Sequence, residues 1–304
     1  MDDCVRERGE DAMKNKAVLI VNPSSGKEQA KAYEEEAVKE LKKVYEEVEV
    51  KETKGAGDAV GFAKEASEEG VSLVVSMGGD GTVHEVVNGL SDHKVRPALG
   101  IIPLGTVNDL ARALKIPLNP EKAIKVLSGG INRSIDVAKA GDRYFGSGFA
   151  LGRVPESIHR VTPDEKSKLG PLAYLLAGLK KLMEKEKIQL KIDSREEVFQ
   201  GELTAVVGSL SGSLGGFEGI FPEATLEDGK LHVLLIEDLS LLDTAKILPD
   251  FLKGDVASSD HLTYFSTRKM KVAPLGEEHY ESDLDGEKGP KVPFTVVVLE
   301  GHLK

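Results

Sequence analysis

Val-Ser-Met-Gly-Gly-Asp-Gly-Thr-Val-His-Glu-Val-Val-Asn-Gly-Leu, residues 75–90, is the stretch that decides how this chain folds. An apolar run over 71–75 ends in Gly78, Gly79, Asp80 and Gly81, and a helical pattern starts at Thr82. The order is therefore strand, backbone-exposing turn, helix N-terminus. Glycine lets the main chain approach a ligand closely. The first turn of a helix offers unpaired N–H groups and a positive dipole end to an anion. The segment predicts a phosphate cradle with the Asp80 carboxylate inside it. A carboxylate beside phosphates is repelled unless Mg2+ or a hydrogen-bonded hydroxyl lies between them, so the pattern points to a nucleotide with a metal.

Working outward, 16–22 reads as a buried strand, 28–48 as a helix and 48–53 as a second strand. A helix follows over 58–69 with Asp58 as its N-cap, then the strand 71–76 and the helix 82–90. A fourth strand is expected over 98–103, and helices over 108–115 and 120–127, the latter opened by Pro120. Strands alternating with helices in this way predict a doubly wound, parallel α/β domain. Near the Gly129-Gly130 pair the pattern changes. Short alternating strands are expected over 131–138, 143–150, 188–193, 199–209, 231–236, 263–272 and 294–299, with helices near 170–187 and 241–253. That half reads as a mostly antiparallel β-sandwich.

Composition removes several functions. A chain of 304 residues is long enough for two domains, and its 40% apolar and 30% charged residues are those of a soluble globular protein. No apolar run reaches bilayer-spanning length. Residues 1–15 are polar and read as a disordered leader rather than a signal peptide. The single cysteine, Cys4, rules out a disulfide framework or a cysteine-based zinc site and fits a reducing cytoplasm. A net charge of −11 without a basic stretch argues against nucleic-acid binding and against whole-protein attraction to a membrane. Any membrane contact has to be local and transient.

Known glycine-loop templates fail. The dinucleotide fingerprint needs a third glycine where His84 stands. A P-loop reading of 22–27 would need glycine at Val21 and Ser or Thr at Glu28. The protein-kinase loop lacks the same glycine as the dinucleotide fingerprint, and it should precede a strand. What remains is three small, polar loops, 22–26, 78–82 and 105–109, at the carboxyl ends of three expected parallel strands. Ligands of open α/β sheets bind at that edge. Ser25, Thr82 and Thr106 can donate hydroxyl hydrogen bonds to phosphate oxygens there.

The motifs Gly78-Gly79-Asp80-Gly81-Thr82, Pro103-Leu104-Gly105-Thr106-Val107-Asn108-Asp109 and Asn22-Pro23-Ser24-Ser25-Gly26 resemble those of the soluble bacterial diacylglycerol kinase family. Two later stretches extend the resemblance over nearly the whole chain: the segment 217–231, similar to the family's metal-binding loop, and Leu284-Asp285-Gly286-Glu287, similar to its catalytic Asp-Gly-Glu. The Gly-Gly-Asp-Gly-Thr core is shared with NAD kinases, whereas the set of five in this order is specific. His84 stands where many relatives carry Asn, a departure that leaves the loop glycines and Asp80 intact.

The resemblance implies an α/β nucleotide-binding domain over 16–130 and a β-sandwich lipid domain over 131–304, the last strand being a candidate to return to the first domain. ATP is the implied phosphoryl donor and Mg2+ the implied metal. Asn22, Ser24, Ser25, Gly26, Thr53, Gly78, Gly79, Asp80, Gly81, Thr82, Thr106 and Asn108 would line the nucleotide. Glu287 would be the general base and Asp80 the organiser of Mg2+. A second, structural Mg2+ would rest on the Asp228 carboxylate and main-chain carbonyls near Thr225 and Lys230. Local sequence alone favours plain hairpin turns at Asp285-Gly286 and Asp228-Gly229.

The expected activity is phosphorylation of the hydroxyl of diacylglycerol, or of a related lipid alcohol, to a phosphatidate-type product. The alternatives are an NAD kinase-like enzyme and a non-catalytic nucleotide or lipid sensor. An apolar face over Leu172, Leu175, Leu176, Leu179, Leu182 and Met183, flanked by lysines, is better read as packing on a sheet than as lying on a membrane. Residues 153–168 are a candidate cleft loop. His159, His261, His279 and His302 are expected at the surface. A cytoplasmic enzyme in transient peripheral contact with its lipid, forming a homodimer, is the working expectation.

Overall fold

The structure, a computed structural model, describes residues 14–26, 30–152, 187–237 and 261–304. The helices expected near 170–187 and 241–253, the 172–183 apolar face, the 153–168 loop, Cys4 and His159 lie outside the described residues.

The first half contains β1 (Lys14–Val21), α1 (Ala30–Leu41), β2 (Glu47–Glu52), α2 (Asp58–Glu69), β3 (Val71–Gly78), α3 (Asp80–Ser91), β4 (Ala98–Pro103), α4 (Asp109–Ala113) and α5 (Pro120–Gly129). Its strands form one parallel sheet in the order β2-β1-β3-β4. The order reverses between β1 and β3, which opens a crevice at their carboxyl ends. Alternation along β1 explains the two covered faces. Ala17, Leu19 and Val21 share one core with Ala37 and Leu41 of α1 and Ile124 of α5. Val18 and Ile20 share another with Ala59 and Ala63 of α2 and Val83, Val86 and Val87 of α3.

Several boundaries differ from expectation. β1 starts at Lys14, so Lys14 and Asn15 belong to the strand rather than to a leader. α1 stops at Leu41 because 42–45 close it with turn hydrogen bonds to Val38, Glu40 and Leu41 carbonyls. Asp58 is not the N-cap of α2; Gly57 is, in the left-handed region and without a side-chain cap. Asp58 instead accepts from Lys54 N and Gly55 N, and the orphan amides Gly57 N and Ala59 N are taken by Glu85 of α3 at 2.8 and 3.1 Å.

The second half has β5 (Ile135–Ala140), β6 (Arg143–Phe145), β7 (Gly148–Gly152), β8 (Ile188–Ser194), β9 (Val198–Leu203), β10 (Ala205–Ser209), β11 (Ser213–Leu214), β12 (Phe217–Glu218), β13 (Leu231–Ile236), β14 (Leu262–Thr267), β15 (Lys269–Pro274), β16 (Glu281–Leu284), β17 (Glu287–Lys291) and β18 (Phe294–Leu303). Two six-stranded antiparallel sheets result, β14-β13-β10-β7-β16-β17 and β6-β5-β18-β15-β8-β9. Phe149, Val206, Val233 and Leu235 of the first share a core with Leu190, Ile192, Val272 and Val296 of the second. Three runs expected as single strands, 143–150, 199–209 and 263–272, each divide and place their halves in different sheets. These are sandwich corners, where one or two residues carry the chain from one sheet to the other. The chain end meets the α/β half, where Leu99 N of β4 donates to Lys304 O at 2.7 Å.

Candidate active site

Helix α3 begins at Asp80, two residues before the expected start, with Gly79 as an extended N-cap. The Asp80 carboxylate therefore projects from the first helical position. Its two oxygens accept Asn108 N at 2.8 Å and Asp109 N at 2.9 Å. Asp80 so caps the neighbouring short helix α4, whose own N-cap Asn108 is left-handed and has no side-chain cap. The Asn108 side chain closes its own loop, accepting from Gly105 N at 3.0 Å and donating to Gly105 O at 2.8 Å. One N–H and one Oδ1 lone pair of its amide remain beyond these two bonds.

The other expected nucleotide residues line the same sheet edge. Asn22 donates from Nδ2 to Thr82 Oγ1 at 3.1 Å, and its Oδ1 accepts Ser24 N at 3.1 Å and Ser24 Oγ at 2.8 Å. Ser25 N closes the turn on Asn22 O, and Thr53 N bonds Val21 O at the carboxyl end of β1. Gly79 and Gly105 meet so closely that a Cβ on Gly105 would stand 2.8 Å from Gly79 Cα. Gly26 faces Leu104 at 3.3 Å by the same measure, while Thr106 is exposed. Loops 22–26, 78–82 and 105–109 thus converge.

The opposite wall comes from the antiparallel half. Leu284 pairs with Glu287 across a tight hairpin whose central residues, Asp285 (φ 55°) and Gly286 (φ 92°), are both left-handed. The Asp285 side chain does more than turn the chain. Its Oδ1 accepts Ser147 N and Gly148 N at 2.9 and 2.8 Å, and its Oδ2 accepts Gly146 N at 2.9 Å and faces His84 Nδ1 at 3.1 Å. Those three amides turned toward one carboxylate are where the expected strand 143–150 breaks. Glu287, exposed, reaches across to α3, where a Cβ on Gly81 would lie 2.8 Å from its Oε1. The helix N-terminus favours the negative charge there.

Asp109 is a site residue that residue-by-residue reading did not assign. Its carboxylate accepts Gly215 N at 2.6 Å, Gly216 N at 2.8 Å and Ser213 Oγ at 3.2 Å, binding α4 to the β11–β12 loop. Burial pushes its pKa up, and the Asp80 charge adds to that against the donors from the loop. The signal was an acidic residue directly after Asn108 facing a later Gly-Gly pair. His84 is also buried; burial opposes its protonation, but the Asp285 hydrogen bond and charge, with the Glu287 charge, outweigh burial and Arg143 and leave its pKa raised.

At the Asp228 turn, Oδ2 accepts Thr225 N at 3.1 Å and meets His232 Nε2 at 2.9 Å, while Oδ1 accepts Lys230 N at 2.8 Å. His232 Nδ1 continues to Tyr264 OH at 2.7 Å. Thr225, Asp228 and Lys230 lie together: Thr225 N and Lys230 N donate to the Asp228 carboxylate, and Thr225 O accepts from Asp228 N at 3.3 Å. Oδ1 keeps a lone pair, which suits a cation that retains most of its water. His302 is not a plain surface residue: it is half-buried, stacks on Tyr144, bonds Ser91 O and has its pKa lowered chiefly by burial.

A parallel sheet with small, glycine-containing loops at its switch point is faced by a carboxylate hairpin from an antiparallel β-sandwich. Residues 16–140 match the diacylglycerol kinase catalytic domain, and residues 154–304 match the YegS C-terminal NAD kinase beta sandwich-like domain. The chain is 34% identical to a diacylglycerol kinase of Bacillus subtilis, over 95% of each chain. It is also 34% identical to one of Staphylococcus aureus, over 96% of this chain and 92% of that one. A crystal structure of a diacylglycerol kinase from Bacillus anthracis superposes with a TM-score of 0.78 at 29% identity, over 95% and 96% of the two chains. The chain belongs to the diacylglycerol kinase family and is a kinase. Among the described residues, no helix is long and apolar enough to cross a membrane.

Proposed function

We propose that this kinase transfers the γ-phosphoryl group of ATP to the free hydroxyl of diacylglycerol or a closely related lipid alcohol, giving phosphatidate and ADP. The observation that carries the reading is the approach of Glu287, from one half of the molecule, to Gly81 in the first turn of α3, from the other. In this reading the nucleotide lies along Asn22, Ser24, Ser25, Gly26, Thr53, the 78–82 loop and Thr106. Glu287 accepts the acceptor's hydroxyl proton while the new O–P bond forms and the bond from the γ-phosphorus to the bridging oxygen of ADP breaks.

Asp80 retains one lone pair on each oxygen after capping α4, a hard-oxygen donor set that fits Mg2+. When bound there, Mg2+ would neutralise phosphate charge. We place a second Mg2+, largely hydrated, at Asp228 with Thr225 and Lys230. The lipid is met at a membrane surface by transient peripheral contact of a cytoplasmic enzyme, which works as a homodimer.

The test is transfer of label from γ-labelled ATP, with Mg2+, to a panel of lipid alcohols in mixed micelles. Labelled phosphatidate from diacylglycerol is the expected product. Labelling of NAD with no lipid product would place the chain with dinucleotide kinases. ATP binding without transfer to any acceptor would make it a sensor.

A further inference from the structure

We propose that His84 is a positioning residue for Glu287: its Nδ1–H holds the Asp285 carboxylate, and with it the hairpin that carries Glu287, against helix α3. This rests on the reading of Glu287 as the acceptor of the substrate proton.

Asp285 gathers its hydrogen bonds from two sides. Three come from main-chain amides at 146–148, where the link from β6 enters β7, the strand beside β16. They fix the hairpin within its own half of the molecule. Among the described residues, His84 is the side chain from the α/β half that bonds the Asp285 carboxylate, at 3.1 Å. The amides make the turn, and His84 sets where the turn stands relative to α3.

The ring's orientation is itself determined. Asn88 lies one turn further along α3. Its Oδ1 accepts Tyr144 N at 2.9 Å, and its Nδ2 donates to Tyr144 O at 2.8 Å and to His84 O at 2.9 Å. Main-chain groups have fixed donor and acceptor identity, so the Asn88 amide can stand only one way. Its Nδ2 then faces His84 Nε2 at 3.2 Å. The Asp285 carboxylate can only accept, so the ring nitrogen 3.1 Å from it, Nδ1, carries the proton. His84 is 6% exposed, so water does not compete for the bond.

The spacing matches the task. Gly81 and His84 are three residues apart on α3 and lie on one helix face. Asp285 and Glu287 are two residues apart across the hairpin turn. His84 takes the first of that pair, and the second comes to rest over Gly81. The positioning therefore bears on the proposed base, while the proposed nucleotide contacts in loops 22–26 and 105–109 stand on other elements.

The experiment compares wild type, His84→Leu and His84→Asn in the micellar transfer assay, with kcat and the KM for ATP measured for each. Leucine keeps bulk and loses the donor. Asparagine can place its Nδ2–H where the ring has Nδ1–H. His84→Leu should lower kcat about tenfold or more with the KM for ATP within about twofold, and His84→Asn should recover kcat to within about threefold of wild type. Wild-type kcat in His84→Leu overturns the proposal. So does an equal loss in both variants accompanied by a raised KM, because packing damage alone would produce that. A wild type that transfers nothing overturns the reading of the reaction, and this inference with it.

Discussion

Glu287 Oε1 stands over Gly81 at a distance that leaves no room for a side chain: a Cβ added there would be 2.8 Å from it. The atom in the way is the end of a flexible side chain, not backbone. Gly81→Ala should therefore fold normally, with stability unchanged or raised by up to about 1 kcal/mol because alanine is the better helix former. The carboxylate would be displaced, and kcat should fall about tenfold to a hundredfold. Urea unfolding and steady-state kinetics on the same preparation separate the two effects.

Asp80 serves two ends at once, capping α4 and facing the cleft. Asp80→Asn leaves one of the amides Asn108 N and Asp109 N without its carboxylate oxygen. A loss of about 1–2 kcal/mol is expected in chemical denaturation. Activity should fall far more than this loss of stability explains, and added Mg2+ should not restore it. A variant as active as wild type would show that Asp80 acts only as a cap.

The His84–Asp285 pair makes stability depend on pH. The groups facing the ring are Asp285 and Glu287 from the hairpin, Arg143 from β6 and Asn88 from its own helix. Burial works against the imidazolium, but the carboxylates prevail, so the folded pKa is raised. A raised pKa gives stability that is fully present below the unfolded value, about 6.5, and is lost as pH rises through the folded value. The melting temperature of wild type should exceed that of His84→Asn most at mildly acidic pH, and the gap should close on the alkaline side. A gap independent of pH would mean that the ring is neutral throughout.

Asp228 offers a metal test that needs no substrate. In nucleotide-free protein, Mg2+ should raise the melting temperature of wild type and leave Asp228→Ala unmoved. Asp228→Ala should also lose about 1–3 kcal/mol without metal, because the buried His232 ring loses its acceptor. A wild-type melting temperature indifferent to Mg2+ would mean that the turn is closed by its own N–H donors and His232.

Much of this architecture is legible in the residues because β1 and β3 are buried on both faces and read as continuous apolar runs. The loops that follow them carry small polar residues at a switch point, so the candidate nucleotide wall is legible in the residues themselves. The β half is legible as β but not in its divisions. Residues 146–147, Thr204 and Arg268 mark sandwich corners, each a break of only one or two residues between strand-forming runs and too short to read as a loop. The Asp285-Gly286 hairpin turn is legible, but the strand after it is not, because Glu287-Lys288-Gly289-Pro290-Lys291 has no apolar face to betray a strand. The start of α3 was misplaced because Gly79 and Gly81 are poor helix formers; the cap that matters runs from Asp80 to another helix, which no local pattern records. Asp109 and His84 are silent for the same reason, since their partners lie 104 and 201 residues away in sequence.

The central claim is that a carboxylate from the β-sandwich half completes a phosphotransfer site built on the α/β half. Its most direct test is Glu287→Gln, with ATP affinity and lipid phosphorylation measured side by side. The account predicts ATP binding within about twofold of wild type and turnover reduced by about a hundredfold or more. Turnover near wild type, with phosphatidate still formed, would contradict it.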